Sequence, residues 1–431
     1  MNRKILEDIL NSEMMLATGC TEPACIALCA AYARQYLETE AAKVRVLAST
    51  NIIKNAMAVG LPGMHASGIN YAAALGAVCG SPERQLQVMD RASEPERQAA
   101  RALVSGGHVQ VERKETSEKL YVEIELRSTD GHRAKAIIAT NHTNLIYAER
   151  DGKVFVQHRI GSLAHGVPPE TIQESLSIPT IWEYINTLNP QTDDVHMIEQ
   201  AISINCQIAR EGSEKKFNLC VGQNISSMRA KGYFGTELVA TAMECTACGI
   251  DARMGGAESP VVTNSGSGNQ GIIATLPLVV AAEYFKVDHD RLVRAVTLSH
   301  LVAIYIHCQF GLLSALCGAT VAGVGAACGL TYLMGGNERQ VGYAINNIFG
   351  TVTGMLCDGA KADCAMKAAT CVNAAFLCAS MAVEDVCVQP NEGIVEQDPE
   401  QTIRNFAHLG NTCSPTIDNV VLDIMLHKKF A

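Results

Sequence analysis

Residues 295–337 read AVTLSHLVAIYIHCQFGLLSALCGATVAGVGAACGLTYLMGGN, a run without one Asp, Glu, Lys or Arg. So apolar a stretch is either buried on all sides or crosses a bilayer, and 311–333 is long enough to cross. Its glycines, its Ser and Thr side chains and its lack of basic and aromatic flanks favour burial. Helices enclosed in a large bundle give the same pattern. Outward from this run, Ala-, Gly-, Leu- and Val-rich segments with helical spacing recur at 194–211, 235–249, 270–286, 289–306, 312–334, 338–349 and 360–385. The many small residues imply helices whose backbones approach closely.

Before about residue 190 the pattern changes. Residues 4–36 are Ala-rich and helical in spacing, with a break around Thr18-Gly19-Cys20-Thr21-Glu22-Pro23. Period-two strand candidates follow at Val44–Ala48, Val109–Val111, Leu120–Leu126, Ala134–Ala139, Leu145–Ala148 and Val154–Val156. Asp130-Gly131 and Asp151-Gly152 are turn signals between them. Residues 83–103 read as an exposed amphipathic helix. The expected fold class is α+β: residues 1–190 form a domain with a small antiparallel sheet and helices, and 191–431 a mostly α-helical domain. A length of 431 residues suits two or three domains at ~150 residues each.

Composition excludes several functions. With 44 acidic and 34 basic side chains the formal charge is −10, and nucleic-acid binding needs a basic face. One Trp and 5% aromatics leave little for base stacking. Seventeen cysteines, an odd number, follow an N-terminus, Met1-Asn2-Arg3-Lys4-Ile5-Leu6-Glu7-Asp8, without an apolar secretory core. A cytoplasmic protein is expected, its thiols metal-binding, catalytic or simply buried rather than bridged.

The segment richest in chemistry is Cys357-Asp358-Gly359-Ala360-Lys361-Ala362-Asp363-Cys364-Ala365-Met366-Lys367. On a helix, positions 357, 361 and 364 share a face, and Asp358 is a candidate N-cap. Lys361 would then lower nearby thiol pKa values. Two thiolates and a lysine at one spot suit a metal or cluster beside a carboxylate substrate; two core cysteines next to a solvated lysine is the competing reading. Cys317, in Leu313-Ser314-Ala315-Leu316-Cys317-Gly318, reads alone as a small buried hydrophobe. Cys245 and Cys248 form a CxxC with no second pair and read as packing.

Three loops add polar groups. In Thr18-Gly19-Cys20-Thr21-Glu22-Pro23-Ala24, Pro23 suits a first helical turn with Thr21 or Glu22 as cap, which would make Cys20 a low-pKa thiolate at a helix start. Thr263-Asn264-Ser265-Gly266-Ser267-Gly268-Asn269-Gln270-Gly271 can offer N–H groups to a carboxylate or phosphate. It is neither a P-loop nor a dinucleotide fingerprint. Asn141-His142-Thr143-Asn144 follows a strand and offers a substrate-contacting His-Thr or a plain turn.

Taken together, GCTEPA at 19–24, NSGSGNQG at 264–271, LSALCG at 313–318 and CDGAKADCAMK at 357–367 resemble the iron–sulfur L-cysteine desulfidase family. That family is related to the α-chain of bacterial iron–sulfur L-serine dehydratases. The resemblance runs through nearly the whole chain. It implies that Cys317, Cys357 and Cys364 bind a 4Fe–4S cluster, with Cys20 also implicated. The Ser-His-Thr substrate element of the serine dehydratases survives only as His142-Thr143. The activity implied is β-elimination of L-cysteine to pyruvate, ammonia and hydrogen sulfide, or of L-serine by the same route. Lys361 would hold the carboxylate or act as base, and Ser265, Ser267 and Asn269 would add hydrogen bonds. A cluster-binding redox sensor and a pyridoxal-phosphate enzyme using Lys361 are the rivals. The expected partner is a small amino acid, with no nucleic acid and no membrane; a homo-oligomer stays open.

Overall fold

The computed structural model describes residues 2–161, 163, 166–234, 237–311 and 313–428. The helices expected at 235–249 and 312–334 begin on residues outside that set. All six strand candidates form, within three residues of their expected ends, and two short strands join them. They are β1 (Leu16–Thr18), β2 (Ala41–Ala48), β3 (Val109–Arg113), β4 (Tyr121–Ser128), β5 (Arg133–Ala139), β6 (Leu145–Arg150), β7 (Lys153–Gln157) and β8 (Pro260–Val262). The main sheet has the order β3-β2-β4-β5-β6-β7. It is not wholly antiparallel: β2 and β3 run parallel, with Val44 opposite Val109. A parallel pair needs a long crossover, supplied by the helices between residues 50 and 105.

Period-two alternation gives the sheet its buried face. Val44, Val46, Ile124, Leu126, Ala136 and Ile138 point into one core with the helix Thr21–Leu37. That helix is Ala-rich, and its neighbour Ile69–Cys79 crosses it closely. A Cβ added at Gly76 would lie 2.0 Å from the Ala27 carbonyl oxygen. The single amphipathic helix expected at 83–103 is two pieces. A 3-10 turn at Pro82–Gln87 precedes the helix Glu94–Ser105, which starts on a Ser93–Glu96 capping box.

Apart from β8, the described elements after the sheet are helices: Pro169–Ser175, Ile178–Thr187, His196–Glu214, Val221–Ala230, Glu237–Met254, Gly268–Phe285, His289–Cys308, Gly318–Leu333, Glu338–Val352, Cys364–Val383 and Pro399–Leu426. The uncharged run that opened the sequence reading is broken into two helices. Gly318–Leu333, almost wholly buried, spans only about 24 Å at 1.5 Å per residue. Gly325 lets it meet its neighbour, since a Cβ there would lie 2.3 Å from the Ser299 carbonyl oxygen. Cys364–Val383 is long and apolar enough to cross a membrane by length and composition, yet over half of its most apolar window is buried.

The chain ends link the helical core to the core beneath the sheet. Arg3–Glu13 sends Leu6, Ile9 and Leu10 into the helical core beside Tyr184, Ile198 and Leu301. Pro399–Leu426 returns Leu422 to the core beneath the sheet.

Candidate functional site

Two short pairings bring the sequence motifs together. β1 pairs antiparallel with β8, Leu16 opposite Val262, and so sets GCTEPA beside the 264–271 loop. A bridge pairs Leu316 with Leu356. The Cys317 amide donates to the Met355 carbonyl at 2.9 Å and the Cys357 amide to the Ala315 carbonyl at 2.7 Å. These bonds bring Cys317 and Cys357 together across 40 residues of chain.

The result is a cavity of about 90 Å³ with Cys20, Cys317, Cys357 and Cys364 in its walls, together with Arg253 and Lys367. A second cavity of about 90 Å³ shares Glu22, Asn55, Ser267, Gly318 and Cys357 with it and adds His142, Gln270 and His307. Four helices begin at this place. Cys20 is the N-cap of Thr21–Leu37, Ser267 of Gly268–Phe285 and Cys317 of Gly318–Leu333, while Cys364 is the first residue of Cys364–Val383. Helix starts carry unpaired N–H groups and a partial positive charge, so the cavity favours an anion.

Three of the thiols, those of Cys20, Cys317 and Cys364, are pushed toward the protonated form. Burial, reinforced by Cys357 and Cys371 alongside, pushes Cys317 well above the ordinary thiol range, and burial pushes Cys364 up to about 11. Cys20 is not the low-pKa thiolate expected. Burial and the neighbouring Glu22 carboxylate raise it well above the usual value, and its thiol donates to Glu22 Oε2 at 3.1 Å. Asn55 Nδ2 donates to Glu22 Oε1 at 2.9 Å.

His142 projects from the turn after β5. Neither of its ring nitrogens has a hydrogen-bond partner. Burial, with Arg253 adding to it against the pull of Glu22, lowers its pKa, so the imidazole is neutral. Arg253 is itself buried. Its Nη1 donates to Asn269 Oδ1 at 2.8 Å and its Nε is unpartnered.

The site residues expected from sequence divide into two groups. Cys20, Cys317, Cys357, Cys364, Ser267 and Asn269 line the first cavity and His142 the second. Ser265, Thr143 and Lys361 line neither. Ser265 has a left-handed backbone, φ 46°, and its amide donates to the Glu13 carbonyl at 2.9 Å. Thr143 faces a separate cavity of about 530 Å³ with Asp8, Asn11 and Asn141.

Lys361 is displaced because the helix starts at Cys364 rather than near Asp358. Residues 357–363 form a loop, so positions 357, 361 and 364 share no helical face, and Asp358 caps nothing. Lys361 Nζ instead pairs with Asp358 and, at 3.5 Å, with Asp363. Lys367 takes the place by the thiols; its Nζ donates to the Leu356 carbonyl and binds Asp358 Oδ1 at 2.6 Å.

Sequence reasoning missed Arg253, Asn55 and Lys54. Lys54 is fully buried, pairs with Asp418 Oδ1 at 2.6 Å and donates to the Cys357 carbonyl at 2.9 Å. Asn51 Nδ2 holds the other Asp418 oxygen at 2.7 Å. For Arg253 a signal existed: a cation in the last turn of an Ala- and Cys-rich helix with no acid four residues before it.

The donor set suits an iron–sulfur cluster. Among the described residues no three His, Cys, Asp or Glu side chains gather closely enough for one ion. A cluster places its ligand sulfurs on different irons, so its thiols ring a cavity rather than converge on a point. Soft thiols that exchange protons for iron, beside four helix starts and two cations that offset the resulting negative charge, meet that need.

The sequence pattern of the serine dehydratase alpha chain family matches residues 4–423. A UPF0597 protein of Porphyromonas gingivalis is 40% identical over 425 residues, covering 98% of each chain. One of Bacteroides thetaiotaomicron is 38% identical over 427 residues, 99% of this chain and 98% of its own. One of Oleidesulfovibrio alaskensis is 40% identical over 422 residues, 98% of this chain and 97% of its own. With both the whole-chain pattern and these relatives matching, the chain belongs to the serine dehydratase alpha chain family.

Proposed function

We propose that this protein is a cytoplasmic iron–sulfur lyase that β-eliminates L-cysteine, giving pyruvate, ammonia and hydrogen sulfide. Family membership supports the coarser statement, a dehydratase-like lyase. The observation that carries the finer one is the ring of Cys317, Cys357 and Cys364 around a cavity where four helices start.

Those three cysteines would hold a 4Fe–4S cluster. When bound, it supplies an iron with an open position, a Lewis acid toward the leaving β-substituent. The chain's own residues do the rest. The helix starts at Cys20 and Ser267 give N–H groups to an anionic substrate. A neutral ring nitrogen of His142, free of any protein partner, accepts the Cα proton. Glu22, fixed by Asn55, then faces the imidazolium and stabilises it. Cys20, protonated and hydrogen-bonded to Glu22, keeps a proton within reach of the departing group. Loss of the Cα proton and the β-sulfur leaves aminoacrylate, which takes up water and breaks down to pyruvate and ammonia.

L-serine is the second reading, favoured by the description of the family itself. Its β-hydroxyl is a poorer leaving group than a thiol but needs no change in the residues named. Protein purified without oxygen and reconstituted with iron and sulfide is expected to form pyruvate from L-cysteine faster than from L-serine, and none without iron. Faster turnover of L-serine would move the assignment to the dehydratase. A cluster-loaded protein inert to both would overturn the lyase.

A further inference from the structure

Burying an arginine without an anion is costly, because the guanidinium loses its hydration and gains no countercharge. Proteins meet that cost with a carboxylate, or by leaving the place to a ligand. Arg253 is 2% exposed, and among the described residues no Asp or Glu forms an ion pair with it, although Glu22 lines the same cavity. Asn269 Oδ1 occupies Nη1 at 2.8 Å, and Nε is buried with no partner. Lys367, the other cation of that cavity, is taken by Asp358 and a carbonyl. His142, in the adjoining cavity, has both nitrogens unpartnered as well.

The backbone is arranged around this guanidinium. A Cβ added at Gly268 would lie 2.3 Å from Arg253 Nε, so only glycine lets the arginine reach the start of the helix Gly268–Phe285. Its charge reaches both Cys20 and His142, which puts it where the thiol and imidazole cavities join. A planar guanidinium there, with a helix N-terminus alongside, matches the fork of a carboxylate.

We infer that Arg253 seats the α-carboxylate of the substrate, so that the site selects α-amino acids with a free carboxylate and rejects their amides. The inference rests on the proposed lyase only for which amino acid is bound. Arg253 is a binding residue, and Asn269 its positioning partner.

The test compares acid and amide. Cluster-loaded wild-type protein is given L-cysteine and L-cysteinamide, and Arg253→Gln and Arg253→Lys are assayed beside it. Removing one side of a buried charge pair is expected to lower kcat/KM for L-cysteine on the order of 10²–10³-fold in Arg253→Gln. The preference for acid over amide should collapse in that variant and return in part in Arg253→Lys. Iron content is expected to fall far less than kcat/KM, because Arg253 is no cluster ligand and Lys367 remains in the cavity wall. An acid-to-amide ratio unchanged in Arg253→Gln, with both substrates slowed alike, would overturn the assignment.

Calorimetric binding of L-alanine against L-alaninamide, neither of which has a leaving group, separates this result from the lyase reading. Wild-type protein that binds L-alanine and not its amide, in a way lost in Arg253→Gln and kept in part in Arg253→Lys, supports the carboxylate seat even if no pyruvate forms. Equal binding of the two ligands by the wild type would overturn it even if pyruvate does form.

Discussion

Two loops shape the cavity, and they are held by opposite kinds of chemistry. The 264–271 loop hangs on a neutral histidine: His300 Nδ1 accepts from Asn264 Nδ2 at 3.0 Å. Thr275 Oγ1 gives its proton to the Gly271 carbonyl, so it accepts from His300 Nε2 at 2.9 Å, which fixes the tautomer. The 357–363 loop hangs on an ion pair. Lys54 and Asp418, 0% and 5% exposed at their side chains, come from two distant segments; Lys54 holds the Cys357 carbonyl and Asp418 holds Lys54. Gly359, at φ 101°, lies so close that a Cβ would be 2.5 Å from the Lys54 carbonyl oxygen. Where the loop offers polar groups to a ligand, neutral hydrogen bonds suffice. Where it carries a thiol, the fold commits a buried charge pair, and that pair ties the sheet-side helix Thr50–Ala56 to the C-terminal helix.

The largest effect is expected from breaking the ion pair. Lys54→Met leaves Asp418 charged and unpaired in the core and removes the donor to Cys357, at a cost of about 3–5 kcal/mol. Iron should be retained poorly, because the carbonyl that anchors the Cys357 loop is released. The double change Lys54→Met with Asp418→Leu removes both charges and should regain most of the stability, but not the hold on iron. Chemical denaturation and iron content of the three proteins check this. A double variant as unstable as the single one would mean that shape rather than charge does the holding.

The neutral network should give less. His300→Phe keeps the volume but removes both ring hydrogen bonds, leaving Asn264 Nδ2 only the His300 carbonyl and Thr275 without its ring donor, at about 1–3 kcal/mol. It also carries a pH signature. Burial lowers His300 from 6.5 to about 3, so between those values the unfolded chain binds the extra proton and the folded one does not. Stability conferred by the network is therefore whole above about pH 6.5 and falls as the pH drops toward 3. Urea denaturation across that range should show a shallower acid slope in His300→Phe than in the wild type. An unchanged slope would place the proton uptake elsewhere.

This contrast also marks what the sequence discloses. Strand alternation and helical spacing depend on local order, so β2 to β7 and most helices after residue 190 were legible. The parallel pairing of β2 with β3 was not, because it depends on a crossover rather than on any residue's neighbours. The cysteine motifs pointed to the cavity, yet the pairings that close it, β1 with β8 and Leu316 with Leu356, are too short to leave a period. Lys54 and Asp418 sit 364 residues apart, and each reads alone as an ordinary surface charge. Arg253 lies in the last turn of Glu237–Met254, beyond the expected helix end at 249, so its cation was easily passed over.

Lys361 should give the smallest effect, and it tests the boundary of the site. Helical spacing put it beside the thiols; the late start of Cys364–Val383 turns it outward to Asp358 and Asp363. A partly exposed pair of this kind is worth about 0–1 kcal/mol, and Asp358 keeps Lys367 when Lys361 is lost. Lys361→Ala should therefore hold its cluster and keep kcat/KM within about fivefold of wild type, the change such an energy allows. Lys367→Ala, which strips the cavity wall of a cation and frees the Leu356 carbonyl, should lose more of both. If Lys361→Ala were the more damaging, the loop would have to close over the substrate in turnover and carry that lysine inward.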